Sequence, residues 1–181
     1  MQIDKLTSKF QEALAAAQSM AVGQDHQFIE PVHLMLALLQ QQNGSVKPIL
    51  AQSGVSVAAY QAELEQQLSR LAQVEGGNGD IHVSQDLSRL LNQTDKLAQK
   101  RQDQYISSEL FVLALAEDKN QHGDLLRQHG GNKTAINNAI DKIRGGERVT
   151  DPNAEEQRQA LEKYTIDLTA RAEAGKLDPV I

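Results

Sequence analysis

The fold is decided by one stretch of sequence that occurs twice, first as IEPVHLMLAL at residues 29–38 and again as ISSELFVLAL at residues 106–115. In both copies a few residues lead into a short and almost wholly apolar segment, which is typical of a helix buried on all sides. Pro31 suits the first turn of such a helix, where its missing N–H costs nothing. The two copies indicate that the chain contains the same structural unit twice.

The repeat extends over most of the chain. Apolar residues of the first long helical pattern recur 77 positions later, and after one gap the offset becomes 76. The matched pairs include Phe10 with Leu87, Ala13 with Leu90, Leu14 with Leu91, Gly54 with Gly130, Tyr60 with Ile136 and Leu64 with Ile140. We therefore predict an all-α fold in which two four-helix units, at about 4–71 and 84–144, pack as a pseudo-dimer.

The sequence changes character after Arg144, so we expect residues 1–144 to form one domain. Residues 145–153 are polar and rich in helix breakers, and we expect a mobile linker there. Residues 154–181 begin with a helical pattern but contain too few apolar residues to fold alone. We expect them to be the truncated start of a further module.

The amino-acid composition excludes or disfavours several classes of function. The chain has 181 residues, no cysteine and a net charge of -6, and only 3% of its residues are aromatic. Few aromatic residues favour packed helices over a sheet sandwich. The absence of cysteine excludes disulfides, thiolate metal sites and cysteine nucleophiles. A nucleic-acid partner is not expected, because such proteins usually present a basic patch.

The sequence also gives no sign of a membrane partner. No apolar run approaches the roughly 20 residues that span a bilayer. Residues 1–10 alternate charged and apolar side chains, unlike a signal peptide. We expect a cytoplasmic protein.

No catalytic or metal-binding constellation is evident. The five histidines lack the spacing of a helical metal site, and surface or capping roles suit them better. The glycine cluster at residues 76–79 is followed by no lysine, so an inter-repeat loop is a better reading than a phosphate cradle. The carboxylates are scattered, which gives acid–base catalysis no support. We expect no catalytic residue, no metal and no cofactor in this chain.

Several stretches resemble the N-domains of the Clp ATPase family. These are LTSKFQEAL at 6–14, IEPVHL at 29–34 and ISSEL at 106–110. The tail, with KYTIDLT at 163–169 and GKLDPVI at 175–181, is similar to the entry into that family's first AAA+ module, and it resembles the disaggregase members most. The chain contains no G-x-x-x-x-G-K-S/T motif, so it is not expected to hydrolyse ATP by the family's mechanism.

The resemblance implies a particular function for the whole protein. It implies a hexameric chaperone that uses ATP and Mg to extract and thread aggregated polypeptides, in cooperation with the DnaK system. This part, which we expect to be monomeric, would bind unfolded or aggregated polypeptide weakly and pass it to the ATPase ring. The alternatives are an adaptor-docking domain, as in related Clp unfoldases, and a spacer that only gates access to the pore.

The repeat suggests where an apolar groove would lie. Position 33 is His, whereas its repeat partner is Leu110. Since a position that accepts His is unlike deep core, we expect Leu110 to be partly exposed. Leu97 is the repeat partner of Met20 and is our second candidate. The first helix and the helix that contains Leu110 would form the walls; the alternative is that both leucines are ordinary core residues.

Three polar candidates come from the resemblance alone. Thr7, Asp103 and Glu109 match family positions that are implicated in substrate handling. The alternative is that Thr7 and Glu109 merely stabilise helix N-termini, where hydroxyl and carboxylate groups are favoured.

Overall fold

The computed structural model describes residues 2–75 and 80–158, and this part of the chain is mostly helical. A 3-10 turn at Ile3–Lys5 precedes the first α-helix. The α-helices are α1 (Ser8–Gly23), α2 (Pro31–Gln40), α3 (Val46–Gln52), α4 (Val57–Arg70), α5 (Gln85–Lys100), α6 (Ser108–Glu117), α7 (Gln121–Gln128) and α8 (Lys133–Arg144), and the short strands are β1 (Phe28–Ile29) and β2 (His82–Val83). The predicted all-α fold of two four-helix units is confirmed.

The two long opening helices begin in the same way. The side-chain oxygen of Thr7 accepts a hydrogen bond from the N–H of Phe10, and the side-chain oxygen of Ser84 accepts one from the N–H of Leu87. Thr7 and Ser84 lie 77 positions apart, at equivalent places in the two repeats. Each hydroxyl satisfies one of the N–H groups that a helix N-terminus leaves without a partner. The repeat therefore preserves local capping as well as apolar spacing.

The two repeats also meet at equivalent glycines. Gly54 and Gly130 have φ values of +91° and +102°, a conformation that favours glycine. A Cβ at Gly130 would lie 2.7 Å from the carbonyl oxygen of Gly54, so the backbones approach too closely for any side chain. The N–H of Ser56 donates to the carbonyl of His129 beside them, at 3.1 Å.

The short strands reveal the pseudo-twofold relation. Ile29 of β1 pairs in parallel with Val83 of β2, and Leu6 forms an isolated parallel bridge with Ile106. Leu6 and Val83 are repeat partners, as are Ile29 and Ile106. Each repeat thus extends the segment before its long helix to pair with the other repeat. This exchange ties the two units into one domain.

The core lies around α2 and α6, whose residues are almost all buried. α1 packs on α2 and α5 packs on α6, whereas α3 crosses the repeat boundary to pack on α8. The rings of Phe10 and Phe111 meet edge to face at 6.3 Å between centroids. Because α2 and α6 are buried on all sides, the repeated segments at 29–38 and 106–115 are almost uniformly apolar. Among the helices that the structure describes, none is both long and apolar enough to cross a bilayer.

The end of the expected linker, from Val149, packs against the domain in this structure, whereas residues 145–148 are exposed. Val149 is buried, and its carbonyl accepts hydrogen bonds from the N–H groups of Gln104 and Tyr105. The N–H of Ser8, the first residue of α1, donates to the carbonyl of Pro152 at 2.8 Å. A helical turn follows and reaches residue 158. We call residues 149–158 the strap; the rest of the predicted further module, from 159 onward, lies outside the described residues.

Candidate functional site

A cluster of buried polar side chains lies beneath the strap. Thr7, Asp103 and Glu109, the three polar candidates from the sequence, come from the start of α1, the loop after α5 and the first turn of α6. They are linked through Arg144, at the end of α8, and through Glu155 of the strap. The structure therefore brings all three together, and Thr7 and Glu109 are fully buried there. We call these five residues the polar cluster.

Glu155 lies where two helix N-termini converge. One of its carboxylate oxygens accepts hydrogen bonds from the hydroxyl of Thr7 at 2.8 Å and from the N–H of Ser108 at 2.7 Å. The other accepts from the hydroxyl of Ser108 at 3.0 Å. Thr7 immediately precedes α1 and Ser108 begins α6, so the positive ends of two helix dipoles face this carboxyl group.

The environment of Glu155 is nevertheless unfavourable for a negative charge. Burial, followed by the charge of Glu109, raises the pKa of Glu155 to about 7. The hydrogen bonds from Ser108 and Thr7 and the charge of Arg158 oppose this rise. The Glu155 carboxyl group is therefore partly protonated near neutral pH, unlike an exposed carboxylate.

Glu109 is held as an anion by two guanidinium groups. One of its oxygens accepts from Arg144 at 3.1 Å and from Arg158 of the strap at 3.0 Å. Burial by itself would raise the pKa of Glu109, but the charges of Arg158 and Arg144 outweigh it and keep the pKa below its usual value. Glu109 and Glu155, two of the three acidic groups in the cluster, thus have pKa values displaced in opposite directions.

Arg144 joins the cluster to α8. Its guanidinium group donates to Glu109, to Asp103 at 3.2 Å and to the hydroxyl of Ser107 at 2.9 Å. Asp103 also accepts the N–H of Val149 at 3.0 Å, which fixes the beginning of the strap. Sequence reasoning missed Arg144, because a basic residue in the last turn of a helix is common for dipole reasons alone.

The expectation that Leu110 is partly exposed is wrong. Leu110 is fully buried, and Leu97 is only 8% exposed. His33, the repeat partner of Leu110, is itself fully buried, so a histidine at one repeat position does not indicate exposure at the other. A charged side chain at position 110 would therefore destabilise the domain and not merely weaken binding.

His33 is compatible with the core because both of its ring nitrogens have partners. Its Nδ1 accepts the N–H of Glu30 at 2.8 Å, so the proton of the neutral ring lies on Nε2, which donates to Nδ1 of His26 at 2.8 Å. Burial, helped by the neighbouring His26, lowers the pKa of His33 to about 4. This pair is neutral at pH 7. Across residues 2–75 and 80–158 no group of three or more His, Asp or Glu side chains is placed to hold a metal ion.

A larger cleft lies away from the polar cluster. It has a volume of about 800 Å³ and lies between α5 and the turn that follows α6. Most of the residues that line it are polar, and they include Arg89, Gln93 and Asp118, of which Arg89 and Asp118 form an ion pair. None of the five candidate residues lines it.

Residues 5–129 match the family model of the Clp repeat (R) N-terminal domain, and the chain belongs to this family. Over all 181 residues it is 55% identical to the chaperone protein ClpB of Vibrio cholerae and 55% identical to that of Pseudomonas putida. It is 40% identical to ClpB of Mycobacterium tuberculosis over 175 residues. The chain spans about a fifth (21%) of the length of these relatives.

Solved structures share the fold. The N-terminal domain of Hsp104 from Candida albicans matches with a TM-score of 0.73 at 19% identity, covering 83% of this chain and 98% of that one. The N-domain of ClpV from Vibrio cholerae matches with a TM-score of 0.67 at 22% identity, covering 82% and 90%. A complex of the ClpV N-domain with a VipB peptide matches with a TM-score of 0.63 at 22% identity, covering 82% and 92%.

Proposed function

We propose that this chain is the substrate-recognition N-domain of an ATP-dependent protein disaggregase. It binds unfolded or aggregated polypeptide weakly and passes it to the ATPase ring of the longer protein. The similarity to ClpB over the whole chain supports the type of protein. The ring, its ATP and Mg, and its cooperation with DnaK belong to the part of the protein beyond this domain.

One observation supports the position of the binding site. Thr7, Asp103 and Glu109 come from three separate elements, and all three contact the strap. The strap is held partly through its backbone groups. The N–H of Ser8 binds the Pro152 carbonyl beside them. Contacts to backbone groups do not depend on sequence, so a surface that makes them suits clients of varied sequence.

Leu97 and Leu110 enter the proposal in a different way from the polar residues. In this structure their side chains pack in the core and are closed to a client. Their participation requires α6 to move relative to its neighbours. The polar cluster is therefore the first contact that we propose, and the two leucines would contribute only after such a movement.

Adaptor docking is the second candidate. The ClpV N-domain has been captured with a VipB peptide, so at least one domain of this fold binds a defined peptide. A docking domain would recognise one partner by its sequence. A client-binding domain would recognise many chains by their unfolded state.

A comparison of unfolded and native forms of one protein separates the two candidates. A fluorescent, reduced and carboxymethylated protein serves as the unfolded probe, and its native form is the control. We expect fluorescence anisotropy to show weak binding of the unfolded form and no binding of the native form. Lack of binding to several unrelated unfolded probes would contradict client recognition and favour adaptor docking.

A further inference from the structure

The strap occupies the place where the proposed client-binding residues meet. Its backbone contacts are the Val149 N–H, which donates to Asp103, and the Pro152 carbonyl, which accepts from Ser8. Its side-chain contacts are the Glu155 carboxyl group on Thr7 and the Arg158 guanidinium on Glu109. The strap therefore contacts each of the three polar candidates directly.

Removing the strap would leave strong donors without partners. The N–H of Ser8, the hydroxyl of Thr7 and both donors of Ser108 now bind strap oxygens. Buried donors of this kind need an acceptor from protein or water. Any polypeptide that replaces the strap must bring backbone carbonyls or carboxylates to the same positions.

The strap also buries little apolar surface, so it can dissociate locally while the domain stays folded. Val149 is its one large apolar side chain that is buried, and the remaining contacts are mostly polar. A cleft of about 220 Å³, lined by Arg144, Thr150, Asp151 and Arg158 among others, lies between the strap and the end of α8. A segment that buries little apolar surface can open locally while the core stays folded, provided that its polar partners find other acceptors.

We propose that the strap is an internal occupant of the client-binding site, and that an unfolded polypeptide binds to Thr7, Asp103 and Glu109 only in molecules whose strap has left. This inference rests on the proposed function. It places the regulation of client binding in residues 149–158, which connect the domain to the rest of the chain. Movement of that connection would then control access to the site.

A charge reversal at Glu155 tests the release of the strap. Glu155→Lys removes the acceptor for Thr7 and Ser108 and places a cation at two helix N-termini, which disfavours docking. Glu156→Lys is the matched control, because it changes the net charge equally at the next position, whose side chain is partly exposed. If the strap is docked in about nine molecules of ten, its release makes binding of the carboxymethylated probe about tenfold tighter. The control should stay within about twofold of the unchanged protein.

A covalent lock tests the opposite state. Ser8 and Asn153 are joined by a side-chain hydrogen bond of 2.8 Å, and the chain has no cysteine of its own. In the double variant Ser8→Cys/Asn153→Cys, oxidation would hold the strap in place. We expect the oxidised form to lose binding of the probe and the reduced form to regain it. This comparison within one variant decides the question even if Glu155→Lys fails to fold.

The results separate the two proposals. Equal affinity of the unchanged protein, Glu155→Lys and the oxidised double variant would overturn the strap inference and leave the proposed function standing. Absence of binding by the unchanged protein, the charge-reversed variant and the reduced double variant would overturn the proposed function itself. Tighter binding by Glu156→Lys, to the same extent as by Glu155→Lys, would also overturn the inference, because it would reflect net charge alone.

Discussion

The carboxyl group of Glu155 accepts the backbone N–H of Ser108 at 2.7 Å, across 47 positions of sequence. A residue beyond the last helix of the repeat thereby stabilises the beginning of α6. The same carboxyl group binds Thr7 at the beginning of α1. One side chain thus joins both repeats to the segment that leads out of the domain.

Thr7 should matter more for stability than its repeat partner. Thr7→Ala removes a helix cap and the hydrogen bond to Glu155, whereas Ser84→Ala removes only the equivalent cap. We expect a loss of about 2 kcal/mol for Thr7→Ala and about 1 kcal/mol for Ser84→Ala. Urea unfolding followed by circular dichroism measures both. Equal losses would mean that the contact with Glu155 contributes nothing to stability.

Glu109 should behave as half of a buried ion pair. Glu109→Ala leaves the guanidinium of Arg144 buried without its main counter-charge, and we expect a loss of about 3–5 kcal/mol. The double variant Glu109→Leu/Arg144→Leu should cost less than the sum of the two single changes, since it removes both charges of this pair together. The free energy of unfolding from urea titrations gives this coupling. Additive losses would contradict the pairing. A binding measurement on Glu109→Ala is compared with the fraction of that variant that is folded.

The histidine pair should make the domain sensitive to acid. The pKa of His33 is about 4 in the folded protein and near 6.5 when unfolded, so below pH 6.5 the unfolded state binds more protons. Stability is therefore lost as pH falls from about 6.5 towards 4, by about 2 kcal/mol at pH 5.

Melting temperature measured against pH gives this loss. His33→Leu, which copies the residue at the equivalent position of the second repeat, is the matched variant. It should flatten the curve between pH 7 and 5 even if it lowers stability at pH 7. An unchanged slope in this variant would show that other groups cause the acid sensitivity.

Docking of the strap should respond to pH in the opposite direction. The pKa of Glu155 is about 7 when docked and near 4.5 when released, so the docked state binds more protons between these values. Docking is therefore strongest below about pH 5 and weakens as pH rises through 7, about tenfold from pH 6 to pH 8. The charged groups that face Glu155 are Glu109 and Arg158. Glu109, whose pKa is held below its usual value, stays ionised across this range.

Exchange of the Ser108 amide proton with solvent reports this docking. At pH 6 the amide should be better protected, after correction for the intrinsic rate, than at pH 8. Glu155→Gln, which cannot titrate, should show no such difference. Protection that rises with pH in the unchanged protein would contradict the assignment.

Much of the fold could be predicted because it follows from local sequence patterns. The apolar spacing of α1 and α5, the capping residues and the glycines recur at offsets of 77 and 76 residues. The spacing of apolar residues and the residues that begin and end helices are the features that a sequence predicts best. The strands β1 and β2 could not be predicted, since each has only two residues and finds its partner in the other repeat.

The site was less accessible to sequence reasoning. Family resemblance identifies Thr7, Asp103 and Glu109. Arg144 and Glu155, which join them, depend on tertiary contacts that the sequence does not show. The breaker residues before Glu155 predict a linker there, and that prediction puts Glu155 outside the domain. The error at Leu110 has a similar cause, because whether a histidine can be buried depends on the partners of its two ring nitrogens.

The most direct test of the account is an amide chemical-shift titration of the ¹⁵N-labelled chain with the unfolded probe. The account predicts that the amides of Ser8, Asp103 and Ser108 shift, together with those of Val149 and Gln157 as the strap leaves. The amide of Gln85, the repeat equivalent of Ser8, serves as the internal reference and should remain unchanged. Shifts confined to α5 and the 800 Å³ cleft, with Ser8 and Ser108 unmoved, would contradict it.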